Sequence, residues 1–215
     1  IPKVCAWLEA QALEFPVAVL SAFRIMATEQ PQKTALTAAM IAHLVLKPGA
    51  HSTESGKASL GMRVMEHLIH MFGQDVDAHY WRNARLVLHV FVALAPLGVV
   101  SSASLRRTIK AFVDVLSSDG VSRDVADPAA DCVIEAMCRG GTDLIQPEPG
   151  ALEALPSARE EMDAIVDGIT LYGSQRSNAA MQLISPFRLD EPHDFLDQDG
   201  FCLLYTSPSP RDLST

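Results

Sequence analysis

The feature that most constrains the fold is a helical hydrophobic period, which returns in one segment after another with almost no strand-like alternation. In residues 16–28, PVAVLSAFRIMAT places four apolar side chains on one stripe: Val19, Leu20, Phe23 and Met26. A helix of this kind is stable only when the stripe is buried against another element. The pattern therefore predicts an all-α protein.

Further segments carry the same period. Their predicted stripes are Leu36, Met40, His43 and Leu44, then Met62, Met65, Leu68, Ile69 and Phe72, then Leu105, Ile109, Phe112, Val113 and Leu116, and finally Met162, Ile165, Val166 and Ile169. Gly73 and Gly120 are predicted to end the second and third of these helices.

Two helix starts are predicted from capping residues. In ADPAADCVIEAMCRGG, Asp127 is a candidate N-cap, Pro128 suits the first helical position, and the glycine pair at 140–141 ends the helix. In SAREEMDAIVDGITLYG, Ser157 and Glu160 have the spacing of a capping box.

The segment HYWRNARLVLHVFVALA is apolar nearly all round, which is typical of an inner helix covered on several sides. The side chains predicted to be buried from more than one direction are Leu86, Leu88, Val90, Phe91 and Leu94. Its uninterrupted apolar part, broken by Pro96, is shorter than the roughly 20 residues that span a bilayer.

Successive helices joined by mostly short loops favour stacked antiparallel hairpins, an α-solenoid of the HEAT or armadillo type. The sequence shows no fixed repeat length, so a plain helical bundle stays an alternative. The net charge of −9 gives no global basic field that would attract nucleic acid or an anionic membrane.

The residues that could carry catalysis are few. His67 and His70 are three residues apart, close enough to share a metal, but no HExxH motif or further ligand accompanies them. Cys138 with His89 is a conceivable nucleophile and base, although His89 lies in the most apolar segment and is better interpreted as a hydrogen-bonded core histidine. We therefore expect no enzyme activity, cofactor or metal; a helical enzyme with a histidine metal site is the least favoured alternative.

The four cysteines form no CxxC pair, and we expect reduced thiols in an intracellular protein. They are Cys5, Cys132, Cys138 and Cys202.

Cations are locally concentrated in the middle of the chain. If hairpins stack, they could gather on one ridge and bind an acidic peptide or a phosphate backbone through charge-assisted contacts, although a solvated helix face is the simpler interpretation. The predicted partner-binding residues are Arg82, Arg85, Arg106, Arg107 and Lys110.

The stretches YWRNARLVLHVFVALAPLGVVSSASLRRTIKAFVDVL and ADCVIEAMCRGGTDLI, with QPQKTALTAAMIAHLV before them, resemble the N-terminal domain of the large subunit of the nuclear cap-binding complex, especially its fungal form. The resemblance covers roughly residues 14–173. It implies the helical-repeat fold of the initiation factor 4G middle domain.

The resemblance also implies a scaffold function in the nucleus, with shuttling to the cytoplasm. In that family the small subunit, an RNA-recognition-motif protein, grips the methylated cap, and the large subunit supports it and recruits RNA processing and export factors. Most contacts with the small subunit come from later helical domains, so capped RNA would be an indirect partner of this chain. A generic helical-repeat adaptor, such as a translation-factor or transport-receptor fragment, is the alternative.

The predicted organisation is a partial N-terminal segment at 1–14, a helical-repeat domain at 15–188, an acidic linker at 189–201 and a tail at 202–215. The tail stretch CLLYTSPSPRD can be reverse-translated, in register, into a widely used transposase-type sequencing adapter. We therefore expect residues 202–215 to be an artefact of library DNA, so that Cys202 is not a cysteine of the natural protein.

Overall fold

The computed structural model describes residues 1–47, 59–118, 120–145 and 155–174. Within these ranges every regular element is helical, which confirms the all-α prediction for the described residues. The α-helices are α1 (Pro2–Glu14), α2 (Pro16–Glu29), α3 (Thr34–Leu46), α4 (Leu60–Asp77), α5 (Trp81–Leu94), α6 (Ser102–Leu116), α7 (Arg123–Gly140) and α8 (Leu155–Ser174), and single 3₁₀ turns occupy Pro31–Lys33 and Gly141–Leu144.

Residues Ile1–Tyr172 form one compact unit, and Gly173–Thr215 fall in a second. The predicted linker at 189–201 and the predicted tail at 202–215 lie outside the described residues. Within the first unit, the segment 1–14 is a helix packed on α2 and α3.

Helix α5 is the centre of the first unit, packing against α2, α3, α4 and α7. All five side chains predicted to be buried from more than one direction lie in the core, with Leu88 and Val90 fully buried. Phe91 contacts Phe72 of α4 edge to face, with ring centroids 5.7 Å apart. The prediction of an inner helix is confirmed. None of the helices in the described ranges has the length and apolarity that a bilayer span needs.

Most members of the predicted stripes in α6 and α8 are buried, with Leu116 and Val166 half-buried, whereas some members in α3 and α4 are exposed. The exposed members are Leu36, Met62 and Ile69. In both helices the apolar residues extend beyond the face that packs against neighbouring helices. Helix α3 is apolar on both its buried and its outer sides, so composition alone could not locate its contact face.

Two predicted helix boundaries are wrong. Helix α4 continues past Gly73 to Asp77, since packing tolerates one interior glycine. Helix α7 begins at Arg123, which leaves Pro128 inside the helix. Asp127 does not cap α7, and its carboxylate accepts a hydrogen bond from the Tyr172 hydroxyl of α8.

Two further boundaries concern α7 and α8. Helix α8 begins at Leu155, two residues before Ser157, so the predicted capping box does not mark its start. The predicted end of α7 at the glycine pair is confirmed, and Gly141 adopts φ +46°, a backbone conformation that favours glycine.

Candidate partner-binding surface

The five predicted partner-binding cations fall into two groups. Arg85 and Arg106 make ion pairs within the protein, while Arg82, Arg107 and Lys110 are exposed. The structure therefore leaves three of the five side chains accessible to a partner.

Arg106 is buried, with 7% of its surface exposed, so it is not an accessible member of the predicted ridge of cations. Its Nε lies 2.7 Å from Oε2 of Glu161, and its Nη1 donates to the carbonyl oxygen of Leu144 at 2.8 Å. These contacts tie α6 to α8 and to the 3₁₀ turn. The sequence contains one indication of this burial. Arg106 precedes Ile109 by three residues and Val113 by seven, which places it beside the buried stripe.

Arg85 and His89 of α5 converge on one carboxylate of α7. Arg85 Nη1 lies 2.9 Å from Glu135 Oε1, and His89 Nε2 lies 2.8 Å from Glu135 Oε2. His89 is only 3% exposed, which agrees with its interpretation as a core histidine. The sequence does not identify Glu135 as a site residue, because its partners lie about 50 residues away and only folding brings them together.

The contact with His89, reinforced by Arg85, holds the pKa of Glu135 below its usual range although burial acts in the opposite direction. A carboxyl whose pKa is depressed by folding stabilises the protein above its unfolded-state pKa, and this contribution is lost as the pH falls through the folded-state pKa.

Glu135→Gln is therefore expected to lower the free energy of unfolding at pH 7, and the deficit relative to the natural protein should shrink as the pH falls below about 4.3. Urea unfolding at a series of pH values measures both quantities. Glu66→Gln on the exposed face of α4 is the matched control. A deficit that stays constant down to pH 3, about one unit below the reference value, would contradict an ionised Glu135.

Arg107 and Lys110 lie three residues apart on the outer face of α6, so their side chains are neighbours. Lys110 Nζ is 3.7 Å from Asp114 Oδ1, and both side chains are more than half exposed. An ion pair this exposed and this long contributes little stability. Both cations are thus accessible to a carboxylate of a partner.

The structure places no third metal ligand beside His67 and His70 in the part of the chain that it describes. Among the described residues, no group of three or more His, Cys, Asp and Glu side chains could hold a metal ion. Burial, followed by the charges of Arg24 and His70, lowers the pKa of His67 and favours its neutral form.

None of the three cysteines that the structure describes has the environment of an activated nucleophile. Burial and the nearby Glu135 carboxylate raise the pKa of Cys138, whereas a nucleophilic thiol needs a lowered pKa. His89 Nε2 faces Glu135. Cys5 and Cys132 are buried, and burial raises the pKa of Cys132 to about 12.

At the start of α5 the neighbouring aromatic residues Tyr80 and Trp81 have different surroundings. Tyr80 is exposed and precedes the helix, whereas Trp81 stacks on the His79 ring with centroids 5.8 Å apart. The other contact of Trp81 is an edge-to-face one with Phe112. Tyr80 and Trp81 do not form a pair that could sandwich a base.

In comparisons with known proteins, no protein family and no curated protein matches this chain. The site is therefore interpreted from its own geometry.

Proposed function

We propose that this chain is a helical-repeat scaffold that recruits other proteins, of the kind found at the N-terminus of the large cap-binding subunit. The arrangement proposed is an α-solenoid of stacked antiparallel hairpins. The observation that carries the proposal is the order of helix contacts. Each odd-numbered helix packs on the next odd-numbered helix, and each even-numbered helix contacts the next even-numbered one.

Odd-numbered helices contact in succession, α1 with α3, α3 with α5, and α5 with α7. Even-numbered helices follow the same order. Helix α2 contacts α4, the α4 ring of Phe72 meets Phe112 of α6 at 6.1 Å, and Arg106 of α6 pairs with Glu161 of α8. Two parallel rows of helices are what stacked hairpins produce, and a solenoid of this kind exposes long surfaces that bind partner segments.

The chemistry of the accessible cations favours an acidic partner segment. Arg107 and Lys110 are exposed side by side, and Arg82 is exposed in the first turn of α5. Charge-assisted hydrogen bonds to aspartate or glutamate are strong enough to select such a segment, and salt weakens them. The proposed activity is recruitment of RNA processing and export factors through acidic segments, with the cap itself bound by another subunit.

The test is capture of nuclear proteins on the immobilised chain, followed by mass spectrometry. We expect RNA processing and export factors to be enriched, and Arg107→Glu with Lys110→Glu to reduce their capture at least tenfold, since each reversal replaces attraction by repulsion. Raising the ionic strength should have the same effect. Arg106 is unsuitable for this test, because its reversal would bury a charge opposite Glu161.

The matched control reverses two exposed cations elsewhere, Lys33→Glu with Arg159→Glu, which changes the net charge equally. The helical circular dichroism spectrum should be the same for both double variants. Enrichment of translation initiation factors alone would favour the generic adaptor. Salt-resistant retention of the chain on a methylated-cap resin would contradict the proposed division of labour between subunits.

A further inference from the structure

Helix α1 presents an exposed stripe with the spacing of a coiled-coil seam. Lys3, Trp7, Ala10 and Glu14 follow one another at steps of four, three and four residues, and all four are exposed. At about 100° per residue they lie within about 60° of one another around the helix. Trp7 is 60% exposed, an unusual position for the largest apolar side chain.

The opposite face of α1 packs against the rest of the first unit. Cys5, Leu8 and Ala12 are buried, and α1 packs on α2 and α3. Glu9 pairs with Lys47 at the end of α3, with Nζ 2.8 Å from Oε2. A partner that docks on the stripe therefore meets a preorganised surface, which reduces the entropy cost of binding.

The charges of the stripe are self-complementary. Lys3 stands at one end and Glu14 at the other, with Trp7 and Ala10 between them. Within the described residues, neither Lys3 nor Glu14 makes an ion pair. If the stripe meets a copy of itself running in the opposite direction, each lysine lies opposite a glutamate and each tryptophan opposite an alanine.

We propose that a second copy of this chain docks antiparallel along α1, about a two-fold axis through the middle of the stripe. The two indoles pack beside small alanines near the axis, and a Lys3–Glu14 pair closes each end. A two-fold interface requires this kind of self-complementarity, because the same patch serves both partners. Opposite charges that pair across the interface of two helices also set the orientation in which the helices associate.

Sedimentation equilibrium of the full chain over the micromolar to millimolar range tests the proposal. We expect a reversible equilibrium between monomer and dimer. Trp7→Ala should weaken it about 30-fold or more, as for a central aromatic anchor. Lys3→Glu and Glu14→Lys should each weaken it about tenfold, because each places like charges together at both ends.

The decisive variant combines Lys3→Glu with Glu14→Lys. It exchanges the two charges and restores the opposite-charge pairs, so the dissociation constant should return to within about threefold of the original value. Ile69→Ala on α4, which removes an apolar side chain of comparable exposure, should leave dimerisation unchanged. The helical circular dichroism spectrum verifies that each variant is folded.

A chain that stays monomeric over the whole range would overturn the proposal. So would a dimer that Trp7→Ala does not weaken, or a double charge exchange that is weaker than both single variants. None of these outcomes depends on Arg107 or Lys110, so a failure here leaves the proposed scaffold function to its own test.

Discussion

Phe91→Ala is expected to lower the free energy of unfolding by about 3–5 kcal/mol. Phe91 lies in α5, which packs against four other helices, and only 7% of its surface is exposed. Its removal would leave a cavity beside Phe72, whose ring it contacts edge to face. Chemical denaturation measures the effect directly, and the melting temperature should fall by about 2–4 °C for each kcal/mol.

The matched control for this substitution is Phe15→Ala, which removes the same ring from a site that is 56% exposed. Its cost should stay below about 1 kcal/mol, because an exposed ring loses little burial. Equal costs for the two variants would show that α5 is not the inner helix.

Gly61→Ala is expected to cost about 3 kcal/mol, although alanine is the better helix former. A β-carbon on Gly61 would lie 2.6 Å from the backbone carbon of Leu44 and the backbone nitrogen of Val45. Backbone atoms cannot move aside as a side chain does, so α3 and α4 would have to separate. Urea unfolding measures the cost, and amide hydrogen exchange should accelerate along α3.

Another glycine of α4 provides a control, for which the expected change in stability has the opposite sign. A β-carbon on Gly73 would meet no atom within 4 Å, and Gly73→Ala should therefore stabilise the protein by about 0.5–1 kcal/mol. If Gly61→Ala also stabilises the protein, then α3 and α4 do not approach as closely as described.

Helix boundaries show where sequence patterns stop being informative. The predicted end of α7 at the glycine pair is correct, because a positive φ directly after the helix is a local requirement that Gly141 meets. The start of α7 was placed at Asp127 on an equally good capping signal. In the structure Asp127 lies inside α7, which begins at Arg123, and its carboxylate accepts a hydrogen bond from Tyr172, a residue of another helix.

At the candidate partner-binding surface, too, the sequence predicts the position of some residues and not of others. The outward position of Arg107 and Lys110 followed from the helical period, and both are exposed. Arg106, their immediate neighbour, lies beside the buried stripe of α6, and its guanidinium contacts Glu161 and the Leu144 carbonyl. A sequence window around Arg106 contains neither of them.

The sequence by itself determined that the described chain is helical and that α5 is its inner helix. Both follow from the hydrophobic period, which acts over one or two turns and needs no distant partner. Only the tertiary structure decided which charges are available to a partner, because Glu135 and Glu161 are 50 and 55 residues from the arginines they neutralise. It also decided that no described helix covers the stripe of α1, since burial depends on where neighbouring helices pack.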